Sequence, residues 1–224
     1  VGATFEVLKV QKNKLKGEFP SWVSSLKELT ILNLSNNHFG GRINHLWECN
    51  KLRRIDLSEN NLIGPIEEEV SRLENLQILY LNKNRFRGPV PEGICNCLKL
   101  RRLNLAHNSF RGSLPRDMGC LINLESLVLE GNRFVGPTPA SFSNLRRLRD
   151  FSLFKNVSAE ICYAVRGFQR HRFDRVYEWA PSQGINSATW EFQTRKGAAN
   201  PRGETEERFW LFDSRLHRNE KQYS

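Results

Sequence analysis

The sequence predicts an α/β fold: a right-handed solenoid of short units whose strands stack into one concave, parallel sheet. Three columns carry that prediction. Asparagine recurs at Asn13, Asn37, Asn60, Asn84, Asn108, Asn132 and Asn156, at intervals of 24, 23, 24, 24, 24 and 24 residues. Five and three positions before each stands an apolar pair: Leu8/Val10, Leu32/Leu34, Ile55/Leu57, Leu79/Leu81, Leu103/Leu105, Leu127/Leu129 and Phe151/Leu153. Four positions after six of them stands a glycine: Gly17, Gly41, Gly64, Gly88, Gly112 and Gly136.

Each element follows from the spacing. Apolar residues two apart point to one side of an extended segment, so each pair anchors a strand, and the residues between and after them face solvent. One strand cannot bury its apolar face alone, so successive units stack. The column asparagine ends the strand facing inward, where its amide bonds the backbone of its own and adjacent turns, because a buried amide is tolerated only when satisfied. The column glycines permit a tight turn, and Pro20, Pro91, Pro115 and Pro139 hold the return segment extended. Val23, Val70, Ile94, Met118 and Phe142 complete the core from the convex side.

Residues 1–156 thus form a solenoid of about seven 24-residue units that opens without an N-terminal cap. After Asn156 the period stops. In residues 157–224, Ser158 can cap a short helix carrying Ile161, Val165 and Phe168 on one face. This stretch holds 11 aromatics in 68 residues, among them Trp179, Trp190, Phe209, Trp210 and Phe212, too many for a disordered tail. It is expected to be an irregular C-terminal cap, with Trp179 and Trp190 covering the last coil. The alternatives are a second partner-binding appendage or non-native sequence from a mispredicted gene end. Residues 194–207 read as a loop or linker.

The segments LRRIDLSENNLIGPI, LQILYLNKNRFRGPVP and LRRLNLAHNSFRGSLP resemble the plant-type leucine-rich repeat, L-x-x-L-x-L-x-x-N-x-L-x-G-x-I-P. That type is found in the ectodomains of receptor-like kinases and receptor-like proteins, and in polygalacturonase-inhibiting proteins. The resemblance covers residues 5–156. Asn44 and Glu67 replace the motif's proline, Thr138 replaces the apolar residue before Pro139, and the second unit is one residue short. The paired-cysteine caps of the secreted members are absent. The resemblance implies a non-catalytic recognition module at the cell surface or outside the cell, with a receptor-like signalling or defence role. Its partner would be a peptide or protein bound on the concave sheet, joined by a co-receptor.

Composition narrows the partner. The net charge is +10, and residues 1–156 carry 23 Lys and Arg against 15 Asp and Glu, so the basicity belongs to the repeats. An acidic ligand fits that field; a well-solvated surface is the plainer account. Among the solvent-facing strand positions, Arg53, Arg54, Arg101 and Arg102 flank Tyr80, and Asp56, Lys83, Asn104, His107 and Glu130 lie on the same face. Arginine pairs carboxylates bidentately, and Tyr and Arg dominate interface hot spots, which makes these the candidate contact residues. Against that stands the requirement that exposed sheet positions be polar in any case.

Other chemistry finds little support. No phosphate-binding, zinc-protease, nucleophile-elbow or kinase motif occurs, so neither an enzyme nor a cofactor is expected. Cys49, Cys95, Cys97, Cys120 and Cys162 are odd in number, and Cys49, Cys97 and Cys120 fall at or beside the convex core position, where buried free thiols are expected. Pairing of Cys120 with Cys95 or Cys97 across adjacent coils is the alternative. Cys95-x-Cys97 lacks metal-ligand spacing, so no metal site is expected. Asn33 and Asn156 begin glycosylation sequons, although Asn156 cannot carry a sugar if it is buried like its column partners. No apolar run reaches the ~18–20 residues that span a bilayer. Three competing functions remain: a soluble inhibitor of a secreted hydrolase, an intracellular interaction scaffold, and nucleic-acid binding, the last without a supporting motif.

Overall fold

The apolar pairs do become strands. The computed structural model of this chain describes residues 5–153 and 155–156, and the backbone of 175–177. Strands Val7–Lys9, Ile31–Asn33, Arg54–Asp56, Ile78–Tyr80, Arg102–Asn104, Ser126–Val128 and Asp150–Ser152 lie side by side, in chain order, in one parallel sheet. The register advances one repeat per strand, so Leu8, Leu32, Ile55, Leu79, Leu103, Leu127 and Phe151 form a single inward row. From Leu32 onward that row is buried; Leu8 and Val10 are only partly covered. Val23, Val70, Ile94, Met118 and Phe142 are fully buried on the opposite side, as the spacing requires.

Four features add to the sequence reading. The convex segments are 3-10 helices of three to five residues, Ser21–Ser25, Asn44–Glu48, Glu68–Arg72, Glu92–Asn96, Met118–Cys120 and Ala140–Asn144. A repeat of 24 residues leaves too little chain between strands for a longer helix. Glu67 takes the same extended backbone, φ −83° and ψ 160°, as Pro91 at φ −69° and ψ 150°, so losing the proline there changes no geometry. The second coil absorbs its missing residue by starting its helix at Asn44, seven residues after its column asparagine rather than eight. Finally, Arg175–Tyr177 adds an eighth parallel strand, placing Val176 beside Phe151, beyond the point where the periodicity ends. Phe154, Cys162, the helix expected after Ser158, the proposed covering residues Trp179 and Trp190, and the loop at 194–207 lie outside the described residues.

A second sheet runs along the side of the solenoid. It consists of Ile63–Gly64, Arg85–Gly88, Ser109–Gly112 and Arg133–Phe134; Lys16–Glu18 pairs separately with His38–Gly40. Beneath it Phe86, Phe110 and Phe134 are fully buried and stack nearly parallel, with centroids 6.0 and 6.2 Å apart.

The asparagine column joins the two sheets. Asn132 is typical: its Nδ2 donates to the Leu105 and Leu129 carbonyls at 2.9 and 3.1 Å, and its Oδ1 accepts from Phe110 N–H at 3.1 Å. Asn37, Asn60, Asn84, Asn108 and Asn156 repeat the pattern, each accepting a backbone N–H of the preceding coil. Asn13, exposed in the first coil, bonds only its own turn through the Val10 and Gln11 carbonyls. Among the described residues every buried side-chain nitrogen and oxygen has a partner.

Just before each asparagine the chain turns left-handed. Lys12, Asn36, Glu59, Lys83, His107 and Lys155 have φ between 54° and 56°, and Gly131 has 65°. Each non-glycine residue in that region costs on the order of 1 kcal/mol, which the asparagine bonds on either side offset.

Candidate interaction face on the concave sheet

The strand geometry presents the candidate residues in rows. Asp56, Tyr80 and Asn104 are register partners on consecutive strands, and Arg54, Ile78 and Arg102 form the row beside them. Arg53, Lys83, Arg101, Arg102 and His107 are exposed; Arg54, Tyr80, Asn104 and Glu130 are half-buried. Asp56 departs from the expected exposure. It is 9% exposed, and its Oδ1 accepts from the Ser58 hydroxyl at 2.7 Å and the Ser58 N–H at 3.3 Å. Asn33 does the same with Ser35, and Asn104 with the Ala106 N–H at 3.0 Å. These short polar side chains fold back on their own strand ends, as Asx turns do. The signal was present in the Asx-x-Ser spacing, but solvent-facing position alone does not reveal it.

Several of the remaining residues are joined across coils. Lys83 Nζ meets Glu59 at 2.7 Å, and Asn36 donates to the same carboxylate at 2.6 Å. These two hydrogen bonds, the one from Lys83 first, hold the Glu59 carboxyl below the usual carboxylate range. Arg101 grips Glu125 through Nε at 2.9 Å and an Nη at 2.6 Å. Glu130 accepts from Ser152 at 2.8 Å and lies 3.4 Å from His107 Nε2. Tyr80, on the neighbouring strand, raises the Arg102 guanidinium pKa further. Glu59, Glu125 and Ser152 therefore organise the face although the sequence reading did not place them among the contact residues. Arg53 and Arg54 form no ion pair among the described residues.

The result is a concave surface with Tyr80 and Arg102 at its centre and two arginines, Arg53 and Arg54, on the coil before Tyr80, without an ion pair among the described residues. It suits a partner bearing carboxylates, because paired guanidinium groups recognise them with defined geometry. No group of three or more His, Cys, Asp or Glu able to hold a metal is present among the described residues, and no helix there is long and apolar enough to cross a membrane.

The two sequons differ. Asn33 is half-buried on the concave strand, where a sugar would screen the second coil. Asn156 is 6% exposed, donates to the Leu129 and Leu153 carbonyls at 3.1 and 2.8 Å, and cannot carry a glycan while it does so. Cys49 and Cys97 are buried, at the inward position that Leu73, Leu121 and Leu145 fill in other coils. Cys120 is exposed, contrary to expectation, because it lies one residue before that position. Cys95 is half-buried, and Cys49, Cys95, Cys97 and Cys120 are all free thiols. Burial pushes the thiols of Cys95 and Cys97 up to about 12.

The family described as leucine rich repeat matches residues 4–62 and 74–134. Receptor-like protein 33 of Arabidopsis thaliana is 49% identical over 59 residues, 26% of this chain and 7% of that protein. Receptor-like protein 32 of the same plant is 45% identical over 58 residues, again 26% and 7%. Among solved structures, the ectodomain of the Arabidopsis receptor kinase GASSHO1/SCHENGEN3, in complex with CASPARIAN STRIP INTEGRITY FACTOR 2, superposes with a TM-score of 0.68 at 33% identity. That match covers 72% of this chain and 20% of the ectodomain. The Arabidopsis receptor kinase HAESA, in complex with the peptide hormone IDA and the co-receptor SERK1, gives 0.65 at 32% identity, over 67% of this chain and 25% of that one. The chain thus spans less than a tenth of the length of these curated relatives and about a quarter of these ectodomains. With matched residues over more than half its length and the strand, asparagine and lateral-sheet geometry of its described repeats, the chain belongs to the leucine-rich-repeat family, and its repeats are similar to those of plant receptor-like proteins.

Proposed function

We propose that this chain is a stretch of a receptor-like ectodomain that recognises an acidic peptide or protein segment on its concave sheet, without catalysis. The single observation that carries the reading is the placing of cations on both sides of Tyr80: Arg53 and Arg54 stand one coil before it and Arg102 one coil after it. Among the described residues Arg53 and Arg54 have no internal counter-charge, whereas Lys83 and Arg101 nearby are held by Glu59 and Glu125. A ligand carboxylate reaching Arg53 or Arg54 would thus displace no existing ion pair. Asn104 and His107 continue the contact surface, and Glu130 orients His107. Support also comes from the neighbours bound to a peptide hormone and a co-receptor, the latter being a second partner class proposed for the full-length protein.

The test is a peptide-display selection on the full chain, followed by titration of the best binder against Tyr80→Ala, Arg102→Ala and Arg53→Ala variants. Selected peptides should be enriched in Asp and Glu, and the three variants should each weaken binding by about tenfold or more. Neutral or basic binders, or acidic binders indifferent to all three changes, would remove the concave face from consideration.

A further inference from the structure

The lateral sheet carries a charge pattern that the concave-face reading leaves unused. Phe86, Phe110 and Phe134 point into the core, so the residues on either side of them point out. Those outward positions hold Arg85, Arg87, Arg111 and Arg133, all exposed. Arg111 and Arg133 are register partners, and Arg87 lies opposite Ser109. Among the described residues none of the four makes an ion pair or side-chain hydrogen bond, and residues 61–65, 85–89, 109–113 and 133–137 contain no Asp or Glu. At other places on this solenoid charges on neighbouring coils meet their opposites, as at Lys83–Glu59, Arg101–Glu125 and Lys51–Glu28. Here like charges are stacked on successive coils.

The ends of the patch are apolar. At the position three residues after the column asparagine, consecutive coils read Ile63, Arg87, Arg111 and Val135, and both Ile63 and Val135 are 42% exposed. Apolar, basic, basic, apolar is the complement of a segment that is apolar, acidic, acidic, apolar. The spacing suits an extended polypeptide: coils on this side lie 6.0–6.2 Å apart, judged by the phenylalanine stack, and alternate side chains of a strand recur every ~6.8 Å.

We infer that the lateral sheet is a second docking surface, for an acidic, extended protein segment with apolar residues at both ends, laid along the solenoid axis. Arg87 and Arg111 receive its two central carboxylates, Arg85 and Arg133 reinforce the field from the adjacent row, and Ile63 and Val135 take the apolar termini. The exposed apolar ends favour protein over a polyanionic carbohydrate, which would have no use for them. The site shares no residue with the concave face, so either can fail without the other.

A direct test uses the full chain and a fluorescein-labelled synthetic peptide that alternates leucine, serine, glutamate, serine, glutamate, serine and valine, read by polarisation. The double variant Arg87→Glu, Arg111→Glu should weaken binding by about tenfold or more, since two exposed attractive pairs become repulsive. Ile63→Ser with Val135→Ser should weaken it several-fold, while Arg146→Glu, an equal kind of charge change on an exposed residue elsewhere, should leave it unchanged. All these side chains are exposed, so thermal melting should match the parent; the milder Arg87→Gln, Arg111→Gln pair serves if the reversal does not. The inference is overturned if the peptide does not bind, or if Arg146→Glu weakens it equally. It is also overturned if polygalacturonate competes fully while the Ile63→Ser, Val135→Ser variant binds the peptide like the parent, which would make the patch a general polyanion site.

Discussion

Replacing Asn132 with alanine tests whether the asparagine column holds the coils together. The side chain is 6% exposed and makes three main bonds: Leu105 O, Leu129 O and Phe110 N. The losses are unequal. Leu105 O keeps a bond from Asn108 and Leu129 O keeps one from Asn156, so each carbonyl falls from two partners to one. Phe110 N–H, by contrast, loses its partner inside the protein. An orphaned buried donor costs ~1–3 kcal/mol and each lost bond ~0.5–1.5, so Asn132→Ala should destabilise by about 3 kcal/mol. Asn13→Ala removes only two exposed local bonds and should cost below ~1 kcal/mol. Urea unfolding followed by far-ultraviolet circular dichroism measures both. If Asn132→Ala cost less than ~1 kcal/mol, or Asn13→Ala cost as much as Asn132→Ala, the ladder would not be what couples the coils.

Other outcomes follow from the same contacts. Phe110→Ala empties the middle of the three-ring stack, and should cost ~3–5 kcal/mol in the same urea assay. Alkylation at mildly alkaline pH, read by peptide mass spectrometry, should modify exposed Cys120 first and spare Cys49 and Cys97 until the chain unfolds, because both are buried and the Cys97 thiol is pushed up to about 12. For Glu59 the native pKa lies below the unfolded one, so its contribution is present above the ordinary carboxylate range and is lost as pH falls through the depressed value. Carboxyl titration by NMR should show that value rising in Lys83→Ala, with little change in global stability, since the pair is exposed.

The periodic part of this fold is legible because one residue type per position satisfies a packing or bonding demand that repeats every coil. Leu32, Ile55, Leu79 and Leu103 are interchangeable answers to one burial problem, and Asn37 through Asn156 answer one bonding problem. The left-handed column is not legible, because Lys12, Glu59, Lys83 and His107 are not residues that announce positive φ. They are forced into it by the bonds on either side. The Arg175–Tyr177 strand escapes for a similar reason: its pairing with Asp150–Ser152 is made by backbone groups, which leave no periodic signal in the sequence. At the candidate site, exposure follows from alternation, but whether a polar side chain reaches outward depends on competition from its own backbone. Asp56 lost that competition and Arg54 did not, because a short carboxylate can reach the Ser58 N–H whereas a guanidinium on a long stem cannot.

A rule about exposed charge follows from the solenoid geometry. Each coil touches only its neighbours, so a charged side chain finds an internal partner chiefly when its opposite stands about one repeat away. Glu59 with Lys83 and Arg101 with Glu125 meet that condition at a spacing of 24, and both pairs form. Arg53 has Thr30 and Gln77 at the equivalent positions, Arg54 has Ile31 and Ile78, and Arg87 has Ile63 and Arg111. None of those neighbours can neutralise a guanidinium. The charges left over are therefore fixed by the sequence pattern, and they include one group on the concave sheet, Arg53 and Arg54, and one on the lateral sheet, Arg87 and its neighbours. Because inward positions alone sustain the stack, either group can be altered without disturbing the coil beneath it. Loss of binding in these variants would thus report on recognition rather than on folding.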